Sequence, residues 1–284
     1  MKVAIIGATS FVGENLILNL KKSNLTIIAT YNWNKKIEKT KNITWKKLDI
    51  KKNKKNYFKY LQSPDVVINL AWPDIPNYKT KKHFQTYIFQ KKLNDNLIHH
   101  GLKNLIVTGT CYEYGKVSGK ISEDFKPNPI IPYAQAKLKL LKKLLKLQKK
   151  YAFKLCWLRP FFVYGYNMKR KTLFNLIKDF DKKKLQNLKV CGDLKRDFVP
   201  INFLCKSIKK IIRLNSDIGV LNICTGKPIK LKKFIKDNMR NHSRFKKVLM
   251  SGKNPNSFEP NEFWGNKKKL DNILFSKKWL IKFG

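Results

Sequence analysis

The chain has 284 residues, with 62 Lys plus Arg against 18 Asp plus Glu for a formal net charge of +44, and 43% of it is hydrophobic. That apolar content excludes a disordered polyelectrolyte, and the length permits a core that needs no metal or disulfide staple. The charge is almost entirely lysine: six residues are Arg and 56 are Lys, scattered among many Asn and Ile. This reads as AT-rich codon usage rather than the arginine-based readout of nucleic acids, so no nucleic-acid partner is expected. The positive field should still attract anionic small molecules.

In chain order, short β-branched runs at residues 3–6, 25–30, 66–70, 105–107 and 153–158 read as buried strands. Helical patterns lie between them at 11–21, around 84–100 and at 133–150, the last with leucine rows at helical spacing. The alternation predicts an α/β fold, a doubly wound parallel sheet with ligands beyond the carboxyl ends of its strands. After residue 165 the alternation breaks down. Residues 1–165 are therefore expected to form the main domain and 166–284 a smaller region. The five Cys lack CxxC spacing and the four His form no ligand pattern, so reduced core thiols and no metal site are expected. No secretion leader or membrane span is legible, and a cytoplasmic protein is expected.

Two stretches carry chemistry. The first strand runs into Gly7-Ala8-Thr9-Ser10-Phe11-Val12-Gly13 and then into a helix. Such a turn is an anion site, because backbone N–H groups can approach a phosphate and the helix dipole favours its charge. Further on, Tyr133-Ala134-Gln135-Ala136-Lys137 opens an amphipathic helix. Residues four apart share a helix face. An ammonium there stabilises a phenolate and lowers a phenol pKa of about 10 towards the working range, so Tyr133 can act as acid or base. In so lysine-rich a chain the pairing alone says little. Its weight comes from Leu105 to Gly115, a strand followed by a hydroxyl-rich turn that sets Thr110 ahead of it.

Together the glycine turn, Thr110, Tyr133 and Lys137 resemble the extended short-chain dehydrogenase/reductase family, whose members are NAD-dependent epimerases and dehydratases of nucleotide sugars. The resemblance covers roughly residues 1–225 and implies a Rossmann-type dinucleotide-binding domain over 1–165, to which about 198–225 returns, with 166–284 a smaller, mainly substrate-binding α/β region. Gly7 and Gly13 match the first and third glycines of GxxGxxG, and Ser10 stands where the middle one is usual. It implies catalytic roles for Thr110, Tyr133 and Lys137, with Lys137 also bonding the nicotinamide ribose. Cofactor contacts are implied for Gly7, Thr9, Ser10, Phe11, Val12, Gly13, Asp49, Ile50, Leu70, Ala71, Tyr133 and Pro160. At the end of the second strand no carboxylate precedes Glu38, and Asn32 and Lys35 could face a 2′-phosphate. NADP is therefore expected, with NAD the alternative.

On the substrate side the resemblance points to Tyr112, Tyr114, Phe162 and Arg196, the last for the phosphates of a nucleotide sugar. Phe162 replaces a usual Asn. Dehydratases of the family carry an Asp-Glu pair directly after the catalytic Thr. Here those positions are Cys111 and Tyr112, with Glu113 one residue late. The 3,5-epimerase-reductases need a histidine acid, and residues 101–241 contain none. Reduction of a 4-keto-6-deoxy nucleotide sugar is the expected activity, with 4-epimerisation on tightly bound NAD as the alternative. A third reading is a non-catalytic dinucleotide-sensing or RNA-associated protein. A homodimer packed through the helices at 84–100 and 133–150 is also expected.

Overall fold

Val3, Ala4, Ile5 and Ile6 are at most 1% exposed, so the first strand is covered on both faces, the environment of a parallel sheet under crossover helices. The structure, a computed structural model, describes residues 1–32, 40–168, 172–252, 254 and 258–275. Seven strands make the central sheet: β1 (Lys2–Ile6), β2 (Thr26–Tyr31), β3 (Ile43–Lys47), β4 (Val66–Asn69), β5 (Asn104–Thr108), β6 (Lys154–Pro160) and β7 (Gly219–Ile223). Their order is β7-β6-β5-β4-β1-β2-β3, and every neighbouring pair is parallel. Strand order thus reverses between β1 and β4, opening a crevice past their carboxyl ends.

Four long helices cover the sheet: α1 (Phe11–Leu20), α2 (Lys82–His99), α3 (Pro132–Gln148) and α4 (Ile201–Leu214). Successive strand residues point to opposite faces. Val3 and Ile5 accordingly join Leu16 of α1 and Leu204 and Ile208 of α4 in one apolar cluster. Ala4 and Ile6 join Leu93 of α2 and Leu140 and Leu144 of α3 in the other. The doubly wound sheet expected from the alternation is present. All five cysteines are buried and unpaired, and among the described residues no helix is long and apolar enough to cross a membrane.

The later chain builds a four-stranded sheet from Ile229–Lys230, Lys195–Arg196, Glu262–Gly265 and Gly119–Ile121. The last of these lies early in the sequence, so this second sheet recruits a strand from the loop between β5 and α3. A third apolar cluster fills this region, with Phe174, Phe180 and Phe234 at its centre. Phe198 and Phe234 stack with centroids 3.7 Å apart.

The leucine row of α3 gives a direct test of this layering. Leu144 is fully buried and Leu145 is 41% exposed. Leu144→Ala should cost about 2–5 kcal/mol through transfer and cavity terms. Leu145→Ala should stay within about 0.5 kcal/mol of wild type, both read from urea melts.

Candidate active site

Crevice and turn meet at the end of β1. Gly7 adopts φ +81°, and a Cβ there would lie 2.9 Å from the Ala71 backbone nitrogen after β4. A Cβ on Gly13 would run into the Gly7 carbonyl oxygen and the Ala8 backbone. Both positions therefore demand glycine. Ser10 does not: its φ is −76°, and its hydroxyl caps α1 by accepting from the Gly13 N–H at 3.1 Å. The serine thus replaces the usual glycine as a helix cap. With Gly13 and Glu14 both bonded to Ser10, the amides of Phe11 and Val12, which lack intrahelical partners in a first turn, are the donors left for a phosphate.

A cavity of about 590 Å³ opens over this turn. Its wall brings together Ser10, Phe11, Val12, Leu70, Thr110, Tyr112, Tyr133, Lys137, Pro160, Phe162 and Arg196, residues separated by as much as 186 positions in the chain. Gly7, Thr9, Gly13 and Ala71 are not part of that wall. Asp49 and Ile50 follow β3 at the far edge of the sheet, and the Asp49 carboxylate accepts from the Lys51 N–H at 2.9 Å. Asn32 is exposed just after β2. Lys35 lies outside the described residues.

Tyr133 and Lys137 sit in the first turns of α3, 7% and 2% exposed. The Lys137 ammonium donates to the Thr108 carbonyl at the end of β5. It lies 4.1 Å from the centroid of the Trp72 ring and 5.9 Å from that of Tyr133. Burial disfavours the charged form and lowers the Lys137 pKa to about 7, against which the Glu113 carboxylate pulls it up. Trp72 is itself pinned. Its indole N–H donates to His83 Nδ1 at 3.1 Å, and His83 Nε2 lies 2.9 Å from the Asn77 carbonyl. Those partners fix the neutral tautomer with the proton on Nε2, and burial lowers the His83 pKa in the same sense.

Thr110 caps the 3-10 turn Cys111–Tyr114, accepting from the Tyr112 N–H at 3.3 Å. Glu113 returns the favour: its Oε1 accepts from the Thr110 N–H at 2.9 Å, completing a capping box. The same carboxylate accepts from Trp157 Nε1 and from Arg159 Nε at 2.8 Å. Glu113 therefore supports the turn from behind. Across the cavity, Arg196 Nη2 donates to Glu259 Oε2 at 2.9 Å, and Tyr112 donates its hydroxyl to Glu259 Oε1 at 2.7 Å. Arg196 thus meets a carboxylate of its own chain in the place where a phosphate contact was expected. Tyr114 corrects the sequence reading. It is fully buried, does not line the cavity, and donates its hydroxyl to Asn222 at 2.7 Å. It is a core residue because its ring packs under the Arg159 guanidinium, 4.4 Å from the ring centroid, and its hydroxyl is taken up by Asn222 of β7.

The model of the NAD dependent epimerase/dehydratase family matches residues 3–224. The chain belongs to this family. Two curated relatives are a dTDP-6-deoxy-L-talose 4-dehydrogenase (NAD(+)) of Aggregatibacter actinomycetemcomitans, 24% identical over 209 residues and spanning 73% of this chain and 77% of that protein, and an uncharacterized UDP-glucose epimerase of Bacillus subtilis (strain 168), 27% identical over 231 residues, 75% and 72%. Among solved structures, UDP-glucuronic acid 4-epimerase from Bacillus cereus in complex with UDP-glucuronic acid and NAD superposes with TM-score 0.78 at 24% identity, covering 96% of this chain and 93% of that one. MoeE5 in complex with UDP-glucuronic acid and NAD gives 0.80 at 20% identity, covering 96% and 92%.

As a member of this epimerase/dehydratase family the protein is an NAD-dependent enzyme of the short-chain dehydrogenase/reductase type. Its site contains partners that the sequence did not single out: Trp72, His83, Glu259 and the Arg159–Glu113 pair. A tryptophan in the loop after β4 was the legible signal for the first, but its contact with Lys137 depends on packing between α2 and α3. Trp72→Phe keeps a ring over Lys137 and strands His83 Nδ1. It should lower stability by about 1–3 kcal/mol. A double-mutant cycle with His83→Leu should return a coupling near 1 kcal/mol in urea melts.

Proposed function

We propose that the protein reduces the 4-keto group of a 4-keto-6-deoxy nucleotide sugar. The observation that carries this reading is that Thr110, Tyr133 and Lys137 open onto one cavity in which no unpaired carboxylate stands among the described residues. Glu259 is the one acidic residue of that wall, and it is bound to Arg196 and Tyr112. Dehydration would need an acid and a base beside the sugar; reduction needs only a proton donor. Part of the wall is apolar and aromatic, with Trp72, Ile75, and Tyr112 packed between Tyr78 and Phe162, which suits a methyl at C6 rather than a carboxylate. The relative that acts as a 6-deoxy-L-talose 4-dehydrogenase supports the same position on the ring.

The cradle at Gly7 to Gly13, the buried Lys137 and the cavity above them fit a nicotinamide dinucleotide. Phe11 and Val12 would hold its phosphates and Lys137 its ribose. When bound, it supplies hydride to C4 of the sugar. Tyr133 gives its phenolic proton to O4, and the Thr110 hydroxyl bonds the same oxygen as charge develops there. The Lys137 ammonium, held by the Thr108 carbonyl and the Trp72 ring, favours the phenolate that Tyr133 becomes. Because no carboxylate precedes Glu38 in the sequence after β2, NADPH should be accepted alongside NADH. A homodimer would form over α2 and α3, where Phe84, Ile88 and Leu145 are exposed.

The test is oxidation of NADH and NADPH by the purified protein with dTDP-4-keto-6-deoxyglucose. One equivalent of 4-hydroxy product should form per equivalent of dinucleotide consumed. Tyr133→Phe should lower turnover about 10²–10⁴-fold while dinucleotide affinity holds. Interconversion of two 4-epimers with no net redox would replace this reading by epimerisation. A Tyr133→Phe protein indistinguishable from wild type would refute an enzymatic role for the site.

A further inference from the structure

We propose that Glu113 is a positioning residue of this site, holding Thr110 in place through its backbone and keeping Lys137 in the ammonium form. The inference rests on the reading that Thr110, Tyr133 and Lys137 are the reacting groups. Three observations carry it. First, the carboxylate bonds the backbone of Thr110 while Thr110 caps the turn that contains Glu113, so the hydroxyl cannot rotate out without breaking the box. Second, Gly109 makes room for it: a Cβ there would collide with Glu113 Oε1 and Trp157 Nε1. Third, the carboxylate and the ammonium meet the same short segment from two sides, Lys137 at the Thr108 carbonyl and Glu113 at the Thr110 amide.

Both groups are buried, Glu113 at 0% and Lys137 at 2% exposure, so little water screens them. The groups facing Lys137 are Tyr133 on its own helix, His83 from α2 and Glu113 from the 3-10 turn. His83 is neutral in its observed hydrogen bonding, which leaves Glu113 as the anion. Facing Glu113 are Arg159 and Trp157 from β6, with Cys111 in its own turn. Burial raises the Glu113 pKa above the ordinary carboxylate value, and Arg159, paired with it at 2.8 Å, pulls against that rise. A carboxylate used only to cap could be a glutamine, since the capping box accepts either.

The experiment measures the protonation of Lys137 without any substrate, by competitive acetylation with trace acetic anhydride across pH and mass spectrometry of the peptide that contains it. Wild type, Glu113→Gln, Glu113→Asp and the double variant Glu113→Gln/Arg159→Met are compared. The double variant removes both members of the buried pair, so that no unpaired charge is left to unfold the protein. Loss of the anion should move the Lys137 midpoint to lower pH by about one unit in both glutamine variants. Glu113→Asp, which retains the charge, should hold the wild-type midpoint while turnover falls. Equal midpoints in wild type and the double variant, a midpoint displaced in Glu113→Asp, or a Lys137 that no pH makes reactive would each overturn the proposal. Should Glu113→Gln alone not fold, the other two variants decide. Failure of the keto sugar to react in wild type would refute the reductase reading and leave the labelling result standing.

Discussion

A buried ammonium is the constraint around which this site is arranged. Taking Lys137 out of water disfavours its charge, and the fold answers with a carbonyl dipole from Thr108, the π face of Trp72 and the carboxylate of Glu113. Each of these needs its own support. Trp72 is fixed by His83, and His83 by the Asn77 carbonyl. Glu113 is held by Arg159 and Trp157, and its approach depends on the absence of a side chain at Gly109. One charge thus accounts for polar groups drawn from five separate segments.

The sheet supplies the place where they meet. With all seven strands parallel, their carboxyl ends share one edge, and the reversal of order between β1 and β4 leaves that edge open. The turn after β1 brings the phosphate cradle, the loop after β4 brings Trp72, and the turn after β5 brings Thr110. The helix α3 begins beside them, so its first turns carry Tyr133 and Lys137 into the same wall. The second sheet is joined on by Arg196, which pairs with Glu259, and by Asp197, whose carboxylate accepts from the Thr225 and Gly226 amides at 2.8 and 2.9 Å.

Much of this was legible in the sequence because it rests on local rules. Apolar runs of strand length alternating with helical periods give the doubly wound sheet, and a glycine turn between the first strand and first helix gives the anion site. Tyr133 and Lys137 share a helix face by spacing alone. The misreading of Tyr114 has an equally physical cause. Tyr112 and Tyr114 are near neighbours in a hydroxyl-rich turn, and only tertiary packing sends one ring to the cavity and the other under Arg159 to Asn222. Ser10 was legible as a departure from glycine, whereas its use as a helix cap required the observed φ of −76°.

The sequence by itself determined the class of fold, the glycine turn between the first strand and the first helix, and the placing of Tyr133 and Lys137 on one helix face, since each depends on residues within about a dozen positions of one another or on a simple period. Tertiary structure alone decided what surrounds that pair. The partners of Lys137 and Thr110 come from the end of β5, the loop after β4 and the 3-10 turn, these are backed in turn by α2 and β6, and the partner of Arg196 lies 63 residues away. No periodicity spans such separations. They are settled when two helical layers and a second sheet close on the same edge, where burial makes every unpaired polar group costly and so dictates who pairs with whom.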